Sequence, residues 1–451
     1  MAKKDFTQGN VLNHILVMSA TSTVGLLAIF GVDLTDLIFL SQLGDHDILA
    51  AIGFAGVILF FTQSIGIGLS VAMLALVSKA IGQANEAKMK ATASNIMLFS
   101  SIVAVAIALV TFPLLDQLLA WLGATGRAAE LAYRYSAWLL PFFPVMVIAT
   151  SANAIVRALG DAKRAMSMML AGALVNLILD PIFIFYFEWG IEGAAMASAA
   201  ARVTMACFAL YAVLKVHPML ARINWQHFRA EAGMIARFAL PTTLTNFATP
   251  IGMALLTYKL AEIGTTAVAG SAIISKITPV AFAVFYSLSG AVGPIIGQNV
   301  GAGQYPRVID TLKTSVKFSC AYTAVLWLLM VVSLPYILML FGAEGQVAEV
   351  VSAFCYFAIP LTCAMGALFV ANAGFNNMGR PGFATAANFL RNSLGVIPFV
   401  WLGAEWFGAE GAIVGFSLGG FVFGVLAIFY CIRLAKSRLE RQLLAEMKDA
   451  N

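Results

Sequence analysis

Asp33, Asp36 and Asp180 lie inside long apolar stretches of this 451-residue chain, where an ionisable side chain is costly and usually functional. Asp33 and Asp36 lie about one turn apart in GVDLTDLIFLSQLG, so a helix places both carboxylates on one face. Asp180 follows in NLILDPIFIF, with Asn176 four residues earlier on the same face and Pro181 directly after it. Proline within a helix frees backbone carbonyls that can coordinate a cation. These oxygen-rich groups predict a site for a proton or Na⁺.

Removal from water disfavours the charged form of a carboxylate, so these aspartates can bind and release a proton near neutral pH. Arg202 and Lys276 also lie within apolar stretches. Their side chains either extend toward water, pair with backbone or acidic groups, or contact a substrate. The second half of the chain has no acid in the interior of its apolar stretches, and asparagines such as Asn372 supply polar groups there. Titrating chemistry is therefore expected in the first half.

The composition requires lipid around the helices that carry these residues. Hydrophobic residues make up 61% and charged residues 11% of the chain, with a mean hydropathy of +0.89. Soluble domains have about 25% charged residues, and so few polar residues could not cover a water-exposed surface. We predict an all-α polytopic membrane protein, since twelve segments have the roughly 20 mostly apolar residues that a spanning helix needs. They are residues 12–40, 48–78, 93–121, 131–156, 165–187, 191–214, 234–260, 265–297, 314–340, 350–372, 384–404 and 408–432.

Lysines and arginines concentrate in alternate connections between these segments, and the intervening connections carry mostly acids. This positive-inside pattern places both termini in the cytoplasm. The net charge of +5 is too small and too scattered to indicate a nucleic-acid partner. The five cysteines form no CxxC pair, and the four histidines lack metal-ligand spacing. Neither GxxxxGK[ST] nor GxSxG occurs, so we expect no cofactor, no direct use of ATP and no enzyme activity.

The two halves of the chain repeat each other in order. LGATGRAAELAYRYSAWLLP (122–141) aligns with FGAEGQVAEVVSAFCYFAIP (341–360), and ANAIVRALG (152–160) aligns with ANAGFNNMG (371–379) at the same offset. Each half holds six segments, an even number, so the repeats have the same membrane orientation. Parallel repeats indicate two six-helix bundles with a substrate path between or within them. We predict an N-terminal lobe (1–214), a cytoplasmic linker (215–233), a C-terminal lobe (234–432) and a cytoplasmic tail (433–451).

Several motifs give the chain a family resemblance over nearly its whole length. They are RALGDAKRAM (157–166), VNLILDPIFIF (175–185), GIEGAAMAS (190–198), VGPIIGQNVGAGQ (292–304) and NNMGRPGFA (376–384). With this repeat, the chain resembles prokaryotic members of the multidrug and toxic compound extrusion (MATE) family. The resemblance implies a V-shaped pair of bundles in the bacterial inner membrane. It also implies export of small organic cations or amphipathic drugs in exchange for inward H⁺ or Na⁺, by a monomer.

The resemblance also assigns roles to individual residues. The aspartate of the family's first span lines up best with Asp36, in Thr35-Asp36-Leu37 followed by Gly44, and Asp33 is then an additional acid. Residues Asn176 and Asp180 match the family's span 5 ligands, and Ser198 matches a span 6 hydroxyl. The implied cation-coupling residues, and the ligands of Na⁺ if that ion is used, are Asp36, Asn176, Asp180 and Ser198.

The chain also departs from the family pattern. MSATS (18–22) lacks the usual proline near the start of span 1, which puts a proline-dependent bend of that helix in doubt. The acids that the NorM-like branch carries on spans 7 and 10 are missing, and Tyr258 and Asn372 lie in those regions instead. This favours the DinF-like branch over the NorM-like branch, or else a branch outside both.

Two alternatives share parts of this pattern. A lipid-linked oligosaccharide flippase of the same superfamily has the same topology, but its anionic substrate requires a strongly cationic cavity. Arg202, Lys259 and Lys276 are the cations available near the span interiors. A membrane-embedded enzyme needs a catalytic constellation that the sequence does not show.

Overall fold

The computed structural model describes residues 5–449, and this described part of the chain consists of helices and short connections, without β-strands. Its contacts divide it into two compact units. The first unit holds residues 21–243, and the second holds residues 5–20 together with 244–449. The lobe boundaries predicted from the repeat stay a prediction. The contacts differ from them because residues 5–20 pack within the second unit.

The first unit is built from the following helices, of which the first and last continue into the second unit. They are α1 (Val11–Ser41), α2 (His46–Gly82), α3 (Glu86–Thr111), α4 (Leu115–Trp121), α5 (Gly126–Leu139), α6 (Phe143–Ala158), α7 (Ala162–Pro181), α8 (Gly190–Tyr211) and α9 (Trp225–Ile263). Single π-helical turns follow α7 at Ile182–Tyr186 and α8 at Ala212–Val216. Because α9 begins at Trp225, the second part of the predicted linker (215–233) is helical.

Close packing of α7 against α8 fixes the helix that carries Asn176 and Asp180. A Cβ at Gly172 of α7 would meet the side chain of Met205 on α8, so only glycine lets the two helices approach this closely. At the other end of α7, Gly193 packs against the backbone of Phe183. The buried core of this region mixes small and flexible residues, among them Ala165 and Met168. Asp180 therefore lies on a helix whose position is fixed by close packing against α8.

The second unit contains the remaining helices, which follow α9 in chain order. They are α10 (Thr265–Ala281), α11 (Ala283–Gly301), α12 (Tyr305–Phe341), α13 (Gly345–Ala353), α14 (Ile359–Leu361), α15 (Cys363–Asn377), α16 (Pro381–Asn392) and α17 (Ile397–Asp449). A π-helical turn, Phe354–Ala358, joins α13 to α14. The predicted tail (433–451) is helical as far as Asp449.

The helix α17 is two limbs joined by a sharp kink at Phe407 and Gly408, where Gly408 has a φ of 61° and a ψ of −142°. The limbs pack against each other in antiparallel fashion. Cβ atoms added to Gly403 or Gly415 would meet carbonyl groups of the opposite limb, and one added to Gly419 would meet the carbonyl of Gly395, just before α17. These glycines let two helix backbones come together, as small residues do between spanning helices. The kink therefore separates two predicted spans, 384–404 and 408–432.

Among residues 5–449, eight helical stretches are long and apolar enough to cross a membrane. Two further pairs of helices pass the same test together and are bent by 49° (α5 with α6) and 46° (α13–α14 with α15). The last of the eight stretches, residues 381–448, contains the kink at Gly408 and divides into two spans. With α9, these segments correspond one by one to the twelve predicted spans. The all-α polytopic fold is confirmed.

The segment before α1 is anchored inside the second unit. Phe6 is completely buried, and its backbone N–H donates to Oε1 of Gln298 at 3.0 Å. Its carbonyl accepts from Nδ2 of Asn299 at 3.1 Å and from Nε of Arg307 at 2.9 Å. Arg307 also donates through Nη2 to the carbonyls of Gln8 and Gly9 at 2.7 and 2.8 Å. These bonds explain why residues 5–20 belong to the second unit.

Candidate functional site

The helix α1 presents both predicted aspartates of span 1 in the first unit. Asp36 is half-buried, and Oδ1 of its carboxylate is shielded from water without a hydrogen-bond donor. Asp33, one turn earlier, is exposed. Between them, the hydroxyl of Thr35 donates to the carbonyl of Gly31 at 2.8 Å and so does not serve either acid. Of the two aspartates, Asp36 is the one that faces the protein interior.

The helix α7 carries Asn176 and Asp180 on one buried face near its end. Asn176 is 5% exposed and Asp180 is fully buried. Neither oxygen of Asp180 accepts a hydrogen bond from any described residue, and the amide nitrogen of Asn176 has no acceptor. Pro181 then ends the regular α-helix and the π-helical turn begins. A buried carboxylate without donors normally costs several kcal/mol, so such a group is expected to bind a cation or a proton.

The two helices bring Asp36 and Asp180 together, with their carboxyl groups within hydrogen-bonding reach of each other. Ionised carboxylates only accept hydrogen bonds and repel each other. The two groups can therefore interact favourably only when one of them carries a proton or when a cation lies between them. Carboxylate oxygens that accept no hydrogen bond can take up H⁺ or coordinate Na⁺. The structure thus brings together two of the residues that the sequence predicts for coupling.

Tyr135, on α5, is a member of this group that the sequence analysis missed. Its phenol lies in the electrostatic field of Asp36, Asp33 and Asp180, and of Arg202 on α8. The guanidinium Nη1 of Arg202 donates to the carbonyl of Leu139 at 3.0 Å, at the end of the same helix α5. The half-buried guanidinium of Arg202 thus acts electrostatically on Tyr135 and forms no ion pair with an acid among the described residues. Tyr135 lies in the segment 122–141, which the second half of the chain repeats. This repeat was the feature of the sequence that could have drawn attention to Tyr135.

Ser198 lies on α8, four residues before Arg202, and is half-buried. No hydrogen bond joins its hydroxyl to Asp36, Asn176 or Asp180 in the described chain. Its predicted place in the coupling site therefore stays a prediction, whereas Asp36 and Asp180 meet directly.

The remaining candidate residues lie in the second unit. Tyr258 is 60% exposed at the end of α9, where Glu262 accepts a hydrogen bond from it and forms an ion pair with Lys259 at 2.7 Å. Lys276 is exposed on α10. Asn372 is buried and accepts from Nδ2 of Asn388 at 2.9 Å. None of the three shares a unit with the acid cluster.

Comparison with known proteins decides the family. The MatE family model matches residues 22–182 and, a second time, residues 241–402, so it covers most of the chain and follows its internal repeat. The chain belongs to the MATE family. Members of this family are transporters, so the chain is a multi-pass membrane transporter and not an enzyme.

Three similar proteins show how far this MATE transporter resembles its relatives. The FAD transporter of Shewanella oneidensis is 27% identical over 94% of each chain. The multidrug export protein MepA of Staphylococcus aureus is 23% identical over 90% of each chain. The crystal structure of the Vibrio cholerae MATE transporter VcmN in the bent form is 25% identical, with a TM-score of 0.89, over 95% of this chain and 98% of that chain. Assignment of this MATE transporter to the DinF-like branch stays a prediction.

Proposed function

We propose that this MATE transporter is a secondary active antiporter, which exports cationic or amphipathic organic compounds in exchange for inward H⁺ or Na⁺. The observation that carries the proposal is the meeting of Asp36 and Asp180, whose buried oxygens accept no hydrogen bond from the described part of the chain. Two buried like charges repel strongly at low dielectric. A bound proton or Na⁺ removes that repulsion, so occupancy of the pair by a cation changes the energy of the first unit.

Coupling follows if the two ligands prefer different conformations. In the outward-open state, H⁺ or Na⁺ binds at Asp36, Asn176, Asp180 and Ser198. The neutralised site attracts an organic cation less, and the cation leaves to the outside. The transporter returns to the inward-facing state, where the coupling ion dissociates and a new substrate binds. Tyr135 lies in the electrostatic field of these acids and of Arg202.

The relatives support a small organic substrate. MepA is named a multidrug export protein, and the Shewanella relative is named an FAD transporter. Drug-like compounds and a dinucleotide share flat aromatic rings, although a dinucleotide carries negative charge. We therefore include amphipathic ring systems of either charge among the compounds to assay.

The alternative function, a flippase for a lipid-linked oligosaccharide, requires free cations for an anionic headgroup. The cations that the sequence offered for this role are otherwise engaged or lie at the surface. Arg202 donates to a backbone carbonyl, Lys259 pairs with Glu262, and Lys276 is exposed. A headgroup site built from these three cations is therefore not supported.

The remaining features of the proposal follow from the sequence. The transporter is expected to work in the bacterial inner membrane as a monomer, with both termini in the cytoplasm as the distribution of lysine and arginine predicts.

Ethidium efflux from proteoliposomes tests the proposal, with ΔpH and Na⁺ gradients imposed separately. Wild type is expected to move ethidium under one of the two gradients, and Asp36→Asn is expected to lose that movement. Efflux that neither gradient drives contradicts antiport, and transbilayer movement of a lipid-linked oligosaccharide would then support the flippase function.

A further inference from the structure

The second unit contains an arginine inside an apolar span that has no acidic partner. Arg391 lies in the last turn of α16 and is half-buried. Within residues 5–449 no carboxylate forms an ion pair with it, and Tyr286 is the one titratable group whose charge acts on it. Its guanidinium donates no hydrogen bond to the described protein. An arginine at membrane depth without a partner is a functional-site candidate.

The neighbouring helix α17 packs against the guanidinium of Arg391 and accepts no hydrogen bond from its N–H groups. The guanidinium carbon lies 5.9 Å from the centre of the Phe416 ring, a cation–π distance. One turn further along α17, a Cβ at Gly420 would lie only 3.2 Å from Nε and 3.5 Å from Nη2 of Arg391. Glycine at position 420 therefore gives the guanidinium room against the helix. The N–H donors of Arg391 stay available for a ligand.

Aromatic rings accompany this cation. Tyr286 on α11 interacts electrostatically with Arg391, and its ring meets that of Phe369 on α15 edge to face, with centroids 5.7 Å apart. Tyr286, Phe369 and Phe416 are all half-buried and pack against the same apolar core. Each of these side chains is therefore partly exposed, and aromatic surface of this kind is where a planar ligand stacks.

Polar groups on α16 add hydrogen-bonding capacity beside Arg391. Asn388 lies three residues earlier on the same helix face and is oriented by its bond to Asn372 at 2.9 Å. The neighbouring Asn392 has a buried amide oxygen without a donor, and Gly252 leaves the space that this side chain occupies. Among the described residues of the second unit, no acid acts electrostatically on Arg391. The local charge is therefore positive.

We propose that Arg391, Tyr286, Phe369 and Phe416 form a binding site in the second unit for a small aromatic anion. The ligand class is a planar ring system that carries a carboxylate or phosphate. A guanidinium binds such groups through two parallel hydrogen bonds, and the rings supply stacking surface. The proposal rests on the proposed function for the direction of transport, and gives the anionic ring compounds named there a binding site. It does not depend on which ion drives export.

Equilibrium binding to the purified full-length transporter in detergent tests this site without any ion gradient. Flavin mononucleotide and riboflavin serve as the probes, because they share one ring system and differ by a phosphate. Flavin fluorescence quenching reports binding. Wild type is expected to bind flavin mononucleotide at least tenfold more tightly than riboflavin. Equal affinity for the two probes overturns the proposal, and this comparison needs no variant.

Variants test whether Arg391 is the residue that causes the preference for flavin mononucleotide over riboflavin. Arg391→Gln is expected to abolish the preference for the phosphate, so that the two probes bind equally, and Arg391→Lys is expected to retain part of the preference. Lys313→Gln removes an equal charge from an exposed position of α12 and is expected to keep the full preference. A full preference in Arg391→Gln contradicts the assignment. If the transporter binds flavin mononucleotide as expected but shows no gradient-driven efflux, the proposed antiport fails and this site stands.

Discussion

The carboxyl groups of Asp36 on α1 and Asp180 on α7 meet within hydrogen-bonding reach, and no residue between 5 and 449 supplies a donor to Oδ1 of the first or to either oxygen of the second. Both groups only accept hydrogen bonds when ionised. Their contact is therefore energetically favourable only when the two groups bind a cation or share a proton. The proposed coupling of transport to an ion rests on this relationship.

The two aspartates of span 1 are expected to differ in importance. Asp36→Asn removes one member of the buried pair, so gradient-driven ethidium efflux should fall to the level of empty liposomes. Asp33 is exposed and lies one turn away, so Asp33→Asn should retain at least half of the wild-type rate. Initial efflux rates in proteoliposomes with matched protein content check both. Loss of transport in Asp33→Asn alone would show that the wrong acid has been assigned.

Binding of the coupling ion should stabilise the folded transporter. At a ligand concentration of 100 times Kd, binding to the native state alone adds about 2.7 kcal/mol. Addition of Na⁺, or a lower pH if the ion is H⁺, should therefore raise the thermal unfolding temperature of wild type. Asp180→Asn should respond less to the same ion. An identical response of the two proteins to both ions would exclude Asp180 as a ligand.

The antiparallel limbs of α17 make a prediction about stability. Gly415→Ala places a methyl group against the carbonyl of Phe399, and overpacking of this kind costs about 1–3 kcal/mol. The thermal unfolding temperature of Gly415→Ala should fall by several degrees. Gly382→Ala is the matched control, since nothing lies within 4 Å of an added Cβ there. Equal unfolding temperatures of the two variants would contradict the close packing of the limbs.

Anchoring of the N-terminal segment depends on Arg307. Hydrogen bonds to a charged group contribute about 1.5–3 kcal/mol, and Arg307 bonds three carbonyls between Phe6 and Gly9. Arg307→Ala should lower protection of the Phe6 amide from hydrogen exchange at least tenfold. Lys313→Ala, at an exposed position of the same helix, should leave that protection unchanged. Unaltered protection in Arg307→Ala would mean that burial of the Phe6 ring alone holds the segment.

The sequence predicted the helices and their local pairings well, because apolar length and helical spacing are visible in a single chain. It placed Asn176 and Asp180 on one face of one helix, and the structure confirms that arrangement. Contacts between helices were harder to foresee. The contact of Asp36 with Asp180, and the presence of Tyr135 beside them, depend on how α1, α5 and α7 pack, which residue spacing does not encode.

Arg391 shows the same limit. The positive-inside pattern groups it with the basic residues of the cytoplasmic side. Its environment becomes visible only when α16 packs against α17 and places the guanidinium over Phe416. Likewise, residues 5–20 pack in the second unit because the backbone of Phe6 forms hydrogen bonds with Gln298 and Arg307, which are far away in the sequence.

The most direct test of the account is ion movement driven by substrate. Proteoliposomes without an imposed ion gradient receive an outward ethidium gradient, and internal pH and Na⁺ indicators record counter-movement. Wild type is predicted to take up one of the two ions as ethidium leaves. The Asp36→Asn, Asp180→Asn double variant is predicted to take up neither. Ion uptake by the double variant at the wild-type rate would contradict the claim that this carboxyl pair couples transport.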